Sequence, residues 1–405
     1  MIYDIPEVRD GEQVAIAQVE ALRRQLKFHL AEPRRWIGSV RRVLAARAIQ
    51  GSNSIEGYDV SMEDALAAIE GDHPIEARRE DWQAVTGYRR AMTYVLQLAQ
   101  DRYFAYSAAV IRSLHFIMTE YALSAGPGLW RPGGIWIRNE ASGDVVYEGP
   151  DAEAVPDLIE ELVKQLAIED DAPAMVRASM THLNLAMIHP FRDGNGRMAR
   201  CLQTLVLARE GILAPEFASI EEYLGSNTQA YYDVLAEVGQ GQWNPQHNAR
   251  PWVRFCLRAH YVQATSVLRR VRESERIWGE LEVLIAQHKL TDRTLVALFD
   301  ATLGLRIRNS SYRAALEAGG EAISNQVATI DLRSMVRAGL MEQKGQKRGT
   351  FYIAAEPLRE IRSRLTAGRQ PIDTSRLFEP AAIPSDASPS APELPFEQSP
   401  NDQQD

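Results

Sequence analysis

The chain has 405 residues, 45% hydrophobic and 24% charged, which is too long for one small domain and typical of a chain that buries real cores. Its formal net charge of -9 argues against a globally basic nucleic-acid binder and leaves room only for a local basic patch. Two cysteines, Cys201 and Cys256, exclude a disulfide framework or a cysteine-built metal cluster, and without a membrane-length apolar run or a signal-peptide pattern a cytoplasmic location with no membrane partner is expected.

Helical periodicity dominates and predicts a mainly α fold. Glu12 to Leu30 repeats apolar residues at intervals of three and four. The string SNSIEG, Ser52 to Gly57, sets Ser52 and Glu56 four apart on one helix face, with Gly57 as the stop. Phe104 to Leu123 is again helical, whereas Gly126 to Tyr147 carries glycines, a proline and short apolar alternations that predict a small hairpin or flap. Asp151 to Ala167 opens on acidic residues and lines Leu158, Leu162 and Leu166 along one face. Arg177 to Ile188 and Arg197 to Arg209 read as two helices flanking a loop, and Trp252 to Trp278 as long helices beyond them. From about Ile285, helices are expected over Asp292 to Asp300, Ser310 to Ala318 and Ser324 to Ala338, followed by two strands around a Gly-rich basic turn. That order is the sequence form of a winged helix-turn-helix. Arg369 to Asp405 is rich in Pro, Ser and acid and is expected to be disordered.

The loop between the two flanking helices carries the chemistry, in the string HPFRDGNGRMAR from His189 to Arg200. Proline disfavours helical backbone before it, so His189 sits at a helix end facing a loop. Gly194 and Gly196 permit positive φ and close approach, and the loop amides with the next helix N-terminus can converge on an anion. Arg197 and Arg200, three apart, share a face and can clamp phosphate oxygens. Asp193 is a hard oxygen ligand suited to Mg²⁺. His189 has the near-neutral pKa that a general base needs. The histidines His115 and His182 read as packing residues, and Cys201 as a buried inert thiol.

The string resembles the signature HPFx(D/E)GNGRxxR of the Fic family at every fixed position. The resemblance implies an α-helical Fic fold with a hairpin flap and the transfer of AMP from ATP to a Ser, Thr or Tyr hydroxyl of a protein, this one included. It makes His189 the base, Asp193 the Mg²⁺ ligand, Gly194, Asn195 and Gly196 the anion hole, and Arg197 and Arg200 the phosphate clamps. Phe191 anchors the loop. Ser52, Glu56 and Gly57 resemble the family's inhibitory motif (S/T)xxxE(G/N), which implies a contact of Glu56 with Arg200 that holds ATP unproductively. The hairpin RPGGIWIR, Arg131 to Arg138, resembles the flap that covers the nucleotide, with Ile135, Trp136 and Ile137 lining the site on alternate faces. Tyr231 and Tyr232 resemble a tyrosine pair near the adenine, of which only one is expected to touch it.

These readings divide the chain into a helical region with the inhibitory motif (1–100), a Fic core (101–240), connecting helices (241–284), a winged helix-turn-helix (285–358) and a disordered tail (369–405). Arg333 and Arg337, with Lys344, Lys347 and Arg348 in the wing, suit a DNA or a protein partner equally well. A homodimer is among the assemblies the resemblance admits. Removal of AMP from a target, another phosphoryl-type transfer, and a DNA-binding regulator with a nucleotide-sensing core are the alternative functions; intact Asp193, Asn195 and both arginines favour AMP transfer.

Overall fold

A computed structural model describes residues 1–379 apart from 33, 75, 139–144, 169–171 and 212. The first helices are α1 (Asp10–Ala31), α2 (Ile37–Ser54), α3 (Met62–Glu70), α4 (Arg79–Gln100) and α5 (Ala108–Thr119). Their starts are chemically marked. Ser61 accepts from the Asp64 amide and Ser107 from the Val110 amide, satisfying donors that the first turn cannot pair. The α2 helix ends at Ser54, so Glu56 lies on the turn beyond it and not on the expected helix face; Gly57 follows at φ 77°.

The flap is a two-stranded antiparallel pair, β1 (Trp136–Arg138) and β2 (Val145–Glu148), with Ile137 opposite Tyr147. Next come α6 (Val155–Ala167), α7 (Ala174–Ile188), α8 (Asn195–Arg209), α9 (Pro215–Ala218), α10 (Glu221–Ser226) and α11 (Thr228–Gly239). The α7 helix is buried from Ala178 through Leu185 without interruption, and α8 from Arg197 through Ala208. A helix covered all round belongs at the centre, and these two pack on each other with the candidate loop between them. Each large apolar side chain so buried contributes about 1.5–3 kcal/mol.

One unbroken helix, α12 (Arg250–His288, 39 residues), stands where several long helices were expected. It carries Trp252, fully buried, whose indole N–H donates to the Ser179 carbonyl at 2.7 Å. Beyond it come α13 (Thr294–Leu303), α14 (Asn309–Ala318), α15 (Asn325–Arg337), the antiparallel pair β3 (Met341–Lys344) and β4 (Phe351–Ala354), and α16 (Glu356–Thr366). Phe299 of α13 packs on Trp36 and Trp278, which joins these elements to α2 and α12. Arg333, Arg337, Lys344 and Lys347 are exposed, and the Arg348 side chain lies outside the described residues. None of the described helices is long and apolar enough to cross a membrane.

The tail requires a correction. Disorder was expected from Arg369, yet residues 369–379 pack against the helices. Arg369 grips Glu273 on α12, Leu377 is buried, and Arg254 lies 4.1 Å over the Phe378 ring. Leu377 and Phe378 supply an apolar anchor that a composition averaged over the whole tail conceals. Residues 380–405 lie outside the described residues.

The α2 helix is seated by close contact and by charge. Gly51 meets Gly225 of α10 so closely that a β-carbon at Gly51 would lie 2.6 Å from the Glu221 carbonyl oxygen. Glu222 of α10 binds Arg47 of α2 at 3.2 Å and Arg270 of α12 twice at 2.6 Å. Gly51→Ala forces the two helices apart and is expected to lower the unfolding free energy by about 1–3 kcal/mol. A denaturant midpoint equal to that of the parent protein would disprove this close approach.

Candidate active site

The loop from His189 to Asn195 is held open by backbone conformations that its sequence permits. His189 caps α7 in the left-handed region (φ 52°, ψ 57°), and Gly194 takes φ 75° to start α8. The reversal brings the imidazole and the α8 N-terminus to the same side. Phe191 is fully buried, as an anchor should be. The Asn195 side chain turns inward and pairs with the Phe191 backbone, accepting from its N–H at 2.8 Å and donating to its carbonyl at 2.9 Å. Asn195 therefore braces the loop with its side chain and faces an anion only through its amide.

Arg197 and Arg200 are both buried, which is costly for a guanidinium without an anion. Arg200 donates from Nε to Ser52 Oγ at 2.7 Å, and from Nη2 to the Ser52 carbonyl at 2.9 Å and Glu56 Oε1 at 2.7 Å. The two residues of the SNSIEG string thus meet the same arginine. Glu56 Oε1 would lie only 2.3 Å from a β-carbon at position 196, so the carboxylate rests against the loop and a side chain there would displace it. Arg197 donates to the Tyr121 hydroxyl at 3.3 Å and lies 4.8 Å over the Tyr58 ring. Arg197 Nε and Nη2 and Arg200 Nη1 remain without hydrogen-bond partners. Three unfilled cationic donors beside helix-terminal amides form a cradle for phosphate oxygens.

Burial raises the Glu56 pKa, but Arg200 by charge and hydrogen bond, then Arg197 and His189, more than offset this and hold it below the usual carboxylate value. Burial lowers the His189 pKa most; Arg131 lowers it further, while the Ala186 carbonyl, Glu56 and Asp193 raise it, and the net shift is down. Since Nδ1 of His189 faces the Ala186 carbonyl at 3.1 Å, Nδ1 carries the proton and Nε2 keeps its lone pair. Asp193 is half exposed, with one oxygen 3.6 Å from Arg197 Nη2.

The remaining expected residues separate. Trp136 and Ile137 stand exposed on the hairpin, the Trp136 indole folds over Gly134, and its Nε1 donates to Glu148 at 3.0 Å. Ile135 packs against Gly149 at the hairpin foot. Tyr231 is buried, with its hydroxyl 3.0 Å from His182 Nε2, whereas the Tyr232 hydroxyl donates to the Ile55 carbonyl beside Glu56. The two rings lie 5.4 Å apart, with the Tyr231 hydroxyl turned to His182 and the Tyr232 hydroxyl to the Ile55–Gly57 turn.

Three residues make contacts at the site that the sequence did not signal. His115 is more than packing: its Nδ1 accepts from the Gly128 amide at 2.8 Å, so Nε2 donates to the Asp193 carbonyl at 2.9 Å, and its ring stacks 3.6 Å from Phe191. Tyr58 directly follows the SNSIEG string, an aromatic residue whose position was its only signal. Arg131 stands before Pro-Gly-Gly at the flap's entry, and its guanidinium donates to the His189 carbonyl at 2.9 Å. His182 is buried between Gln203 and Tyr231 and Cys201 is a buried thiol pushed up by burial, as expected of packing residues.

A helical fold with a small flap and a histidine-led anion loop defines the class. Residues 105–207 match the family model described as Fic/DOC family, so this stretch of the chain is a Fic-type domain. A probable protein adenylyltransferase of Aquifex aeolicus is 30% identical over 92 residues, covering 23% of this chain and 29% of that protein. The protein adenylyltransferase Fic of Nematostella vectensis is 24% identical over 220 residues, covering 52% and 45%. The matched stretches thus span less than half the length of these curated relatives. Among solved structures, a Fic family protein from Desulfovibrio desulfuricans G20 shares the fold with a TM-score of 0.55 at 23% identity, over 87% of this chain and 98% of that one. Fic-1 (residues 134–508) from C. elegans aligns with a TM-score of 0.51 at 20% identity, over 65% and 73%.

Three buried histidines and the partly buried His189 set a pH dependence. Burial, ahead of every other cause, moves His115 to about 4 and His182 to about 3, and lowers His189 and His260 from the ordinary 6.5. Below 6.5 the unfolded chain binds protons that the folded chain refuses, so stability is expected to fall as pH drops from 6.5 toward 4. Urea midpoints across that range measure it, and a midpoint that holds level or rises on acidification would refute the burial of neutral imidazoles.

Proposed function

We propose that the chain is a Fic-type protein adenylyltransferase restrained by Glu56. The observation that carries this reading is the Glu56 carboxylate on Arg200, resting against Gly196 at a loop where Arg197 Nε and Nη2 and Arg200 Nη1 lack hydrogen-bond partners. The relatives named protein adenylyltransferases support the reaction class. On this reading the ATP phosphates lie over the amides of Gly194, Asn195 and Gly196 and take the open nitrogens of Arg197 and Arg200. The exposed Trp136 and Ile137, with Ile135 at the foot, cover the nucleotide, and Tyr232 lies at its adenine side.

His189 Nε2 accepts the proton of a target Ser, Thr or Tyr hydroxyl while that oxygen bonds to the α-phosphorus. The bond from the α-phosphorus to its bridging oxygen breaks, and pyrophosphate leaves. Asp193 suits Mg²⁺, because this ion characteristically takes one or two carboxylates, substrate phosphates and water. When bound it neutralises phosphate charge. Orientation and charge compensation carry most of the rate in such transfers.

Inhibition has two arms on one turn. Glu56 occupies Arg200, which the γ-phosphate needs, and the Tyr58 ring lies over Arg197. Removal of Glu56 frees a buried guanidinium, and Glu56→Gly is expected to raise labelling by [α-³²P]ATP with Mg²⁺ at least about tenfold. Tyr58→Ala removes a contact of about 1 kcal/mol and is expected to raise it roughly fivefold, with Tyr58→Phe at the parent rate because the ring makes the contact. His189→Ala should abolish labelling, and unchanged labelling there would end the assignment of the base. The mass gained distinguishes AMP (about 329 Da) from phosphate (about 80 Da), and loss of AMP from a modified target would mark the reverse activity.

Acidity provides a separate check. The acid limb of the labelling rate is expected below 6.5, since the His189 pKa is lowered. Glu56 raises that pKa, so Glu56→Gly should move the limb to still lower pH. A limb that moves upward would contradict the placement of the carboxylate near the imidazole.

A further inference from the structure

The Arg131 guanidinium is buried, and its hydrogen bonds run to main-chain carbonyls on three separate segments. Nε donates to His189 at 2.9 Å, Nη1 to Gly133 at 2.6 Å, and Nη2 to Pro150. Its own amide donates to the Pro190 carbonyl at 2.9 Å. Gly133 and Pro150 are the two feet of the hairpin that carries β1 and β2. His189 is the base, in a left-handed conformation that a residue with a β-carbon rarely adopts. One planar group therefore joins the backbone of the base to both ends of the flap. Among the described residues the flap is also anchored by the Tyr147 hydroxyl, which donates to the Met187 carbonyl at 2.9 Å, by the Glu148 amide on the Gly241 carbonyl at 3.0 Å, and by the Trp243 amide on the Glu148 carbonyl at 2.9 Å. None of those touches His189 itself.

We propose that Arg131 is a positioning residue for the transfer step, a clasp that fixes the His189 main chain to both feet of the hairpin so that base and flap edge hold one geometry. The inference rests on the AMP-transfer reading above for its catalytic consequence. An extended target segment paired with the exposed edge of β1 would have its hydroxyl set by that edge, while the proton acceptor is set by α7. Those two elements belong to different parts of the chain; Tyr147 ties β2 to α7 at Met187, and Arg131 bonds to the His189 main chain itself and to both feet of the hairpin. A displacement on the order of 1 Å between acceptor and hydroxyl is enough to cost about 100-fold in rate. Lysine cannot substitute, because a single ammonium lacks the planar array that reaches three carbonyls at once. The phosphate cradle at 193–200 receives no hydrogen bond from Arg131, which separates this role from nucleotide binding.

The test uses the full chain in the Glu56→Gly background, with Arg131→Ala and Arg131→Lys added singly. ATP affinity is measured by calorimetry, autolabelling at saturating ATP, and amide exchange along the flap. The expected result is ATP affinity within about twofold of the reference and labelling down at least about tenfold in both variants. Free guanidinium should restore part of the Ala variant's rate and none of the Lys variant's. Exchange should quicken at 133–138 and 145–149 and stay unchanged in α8. Labelling at the reference rate in either variant overturns the proposal, as does a loss of ATP affinity equal to the loss of rate. If Arg131→Ala fails to fold, Arg131→Lys carries the comparison alone. If the Glu56→Gly reference does not label at all, the AMP-transfer reading fails by itself, and unaltered flap exchange in Arg131→Lys would separately refute the clasp.

Discussion

Two buried arginines facing one loop impose a demand that shapes everything around them. A guanidinium out of water needs an anion or a set of acceptors, and Arg197 and Arg200 sit on the first two turns of α8, near the end where helix amides add positive potential. The Glu56 carboxylate answers that demand for Arg200, supported by Ser52 through both its hydroxyl and its carbonyl. Arg197 has a poorer answer in the Tyr121 hydroxyl and the Tyr58 ring, and three nitrogens across the pair stay unfilled. The site is therefore electrostatically unfinished, with room for further anionic oxygens at those nitrogens.

The rest of the fold sets the position of that carboxylate. Glu56 reaches Arg200 only if α2 lies where it does, and α2 is located by the Gly51–Gly225 approach and by Glu222 bridging Arg47 to Arg270. These contacts lie on the side of α2 that faces α10 and α12, away from the chemistry. His115 performs a comparable task for the loop, spanning the Gly128 amide and the Asp193 carbonyl while stacked on Phe191. Its neutrality follows from burial, and a protonated ring could no longer accept from Gly128.

Much of this was legible in the chain because helices and anion loops have local signatures. The α7–loop–α8 unit is written in one contiguous string, so the base, the amides and both arginines were readable together. Ser52 and Glu56 were readable as partners of Arg200 only through the family's pattern, and the helix boundary was misplaced by two residues because the turn Ile55–Gly57 also satisfies the spacing. Arg131, His115 and Tyr58 act through contacts 58, 78 and 139 positions away in sequence or through ring stacking, and no local spacing encodes such pairs. The tail failed for the opposite reason: two apolar residues, Leu377 and Phe378, outweigh the polar composition around them once a groove beside α1 and α12 exists.

On the proposed function, inhibition by Glu56 and nucleotide binding in this site are one equilibrium. If Glu56 left Arg200 with nothing in its place, a buried cation would remain uncompensated, and breaking such a pair typically costs about 3–5 kcal/mol. An empty cradle thus favours Glu56 in place, and an incoming γ-phosphate competes for the same nitrogen at nearly balanced charge. Displacement of the glutamate should then depend less on the strength of the ion pair than on how firmly α2 is held by α10 and α12. A ligand or partner that draws α2 away from Gly225 and Glu222 would weaken the carboxylate's hold without touching the nucleotide, because the pair and the helix seat share the same free energy.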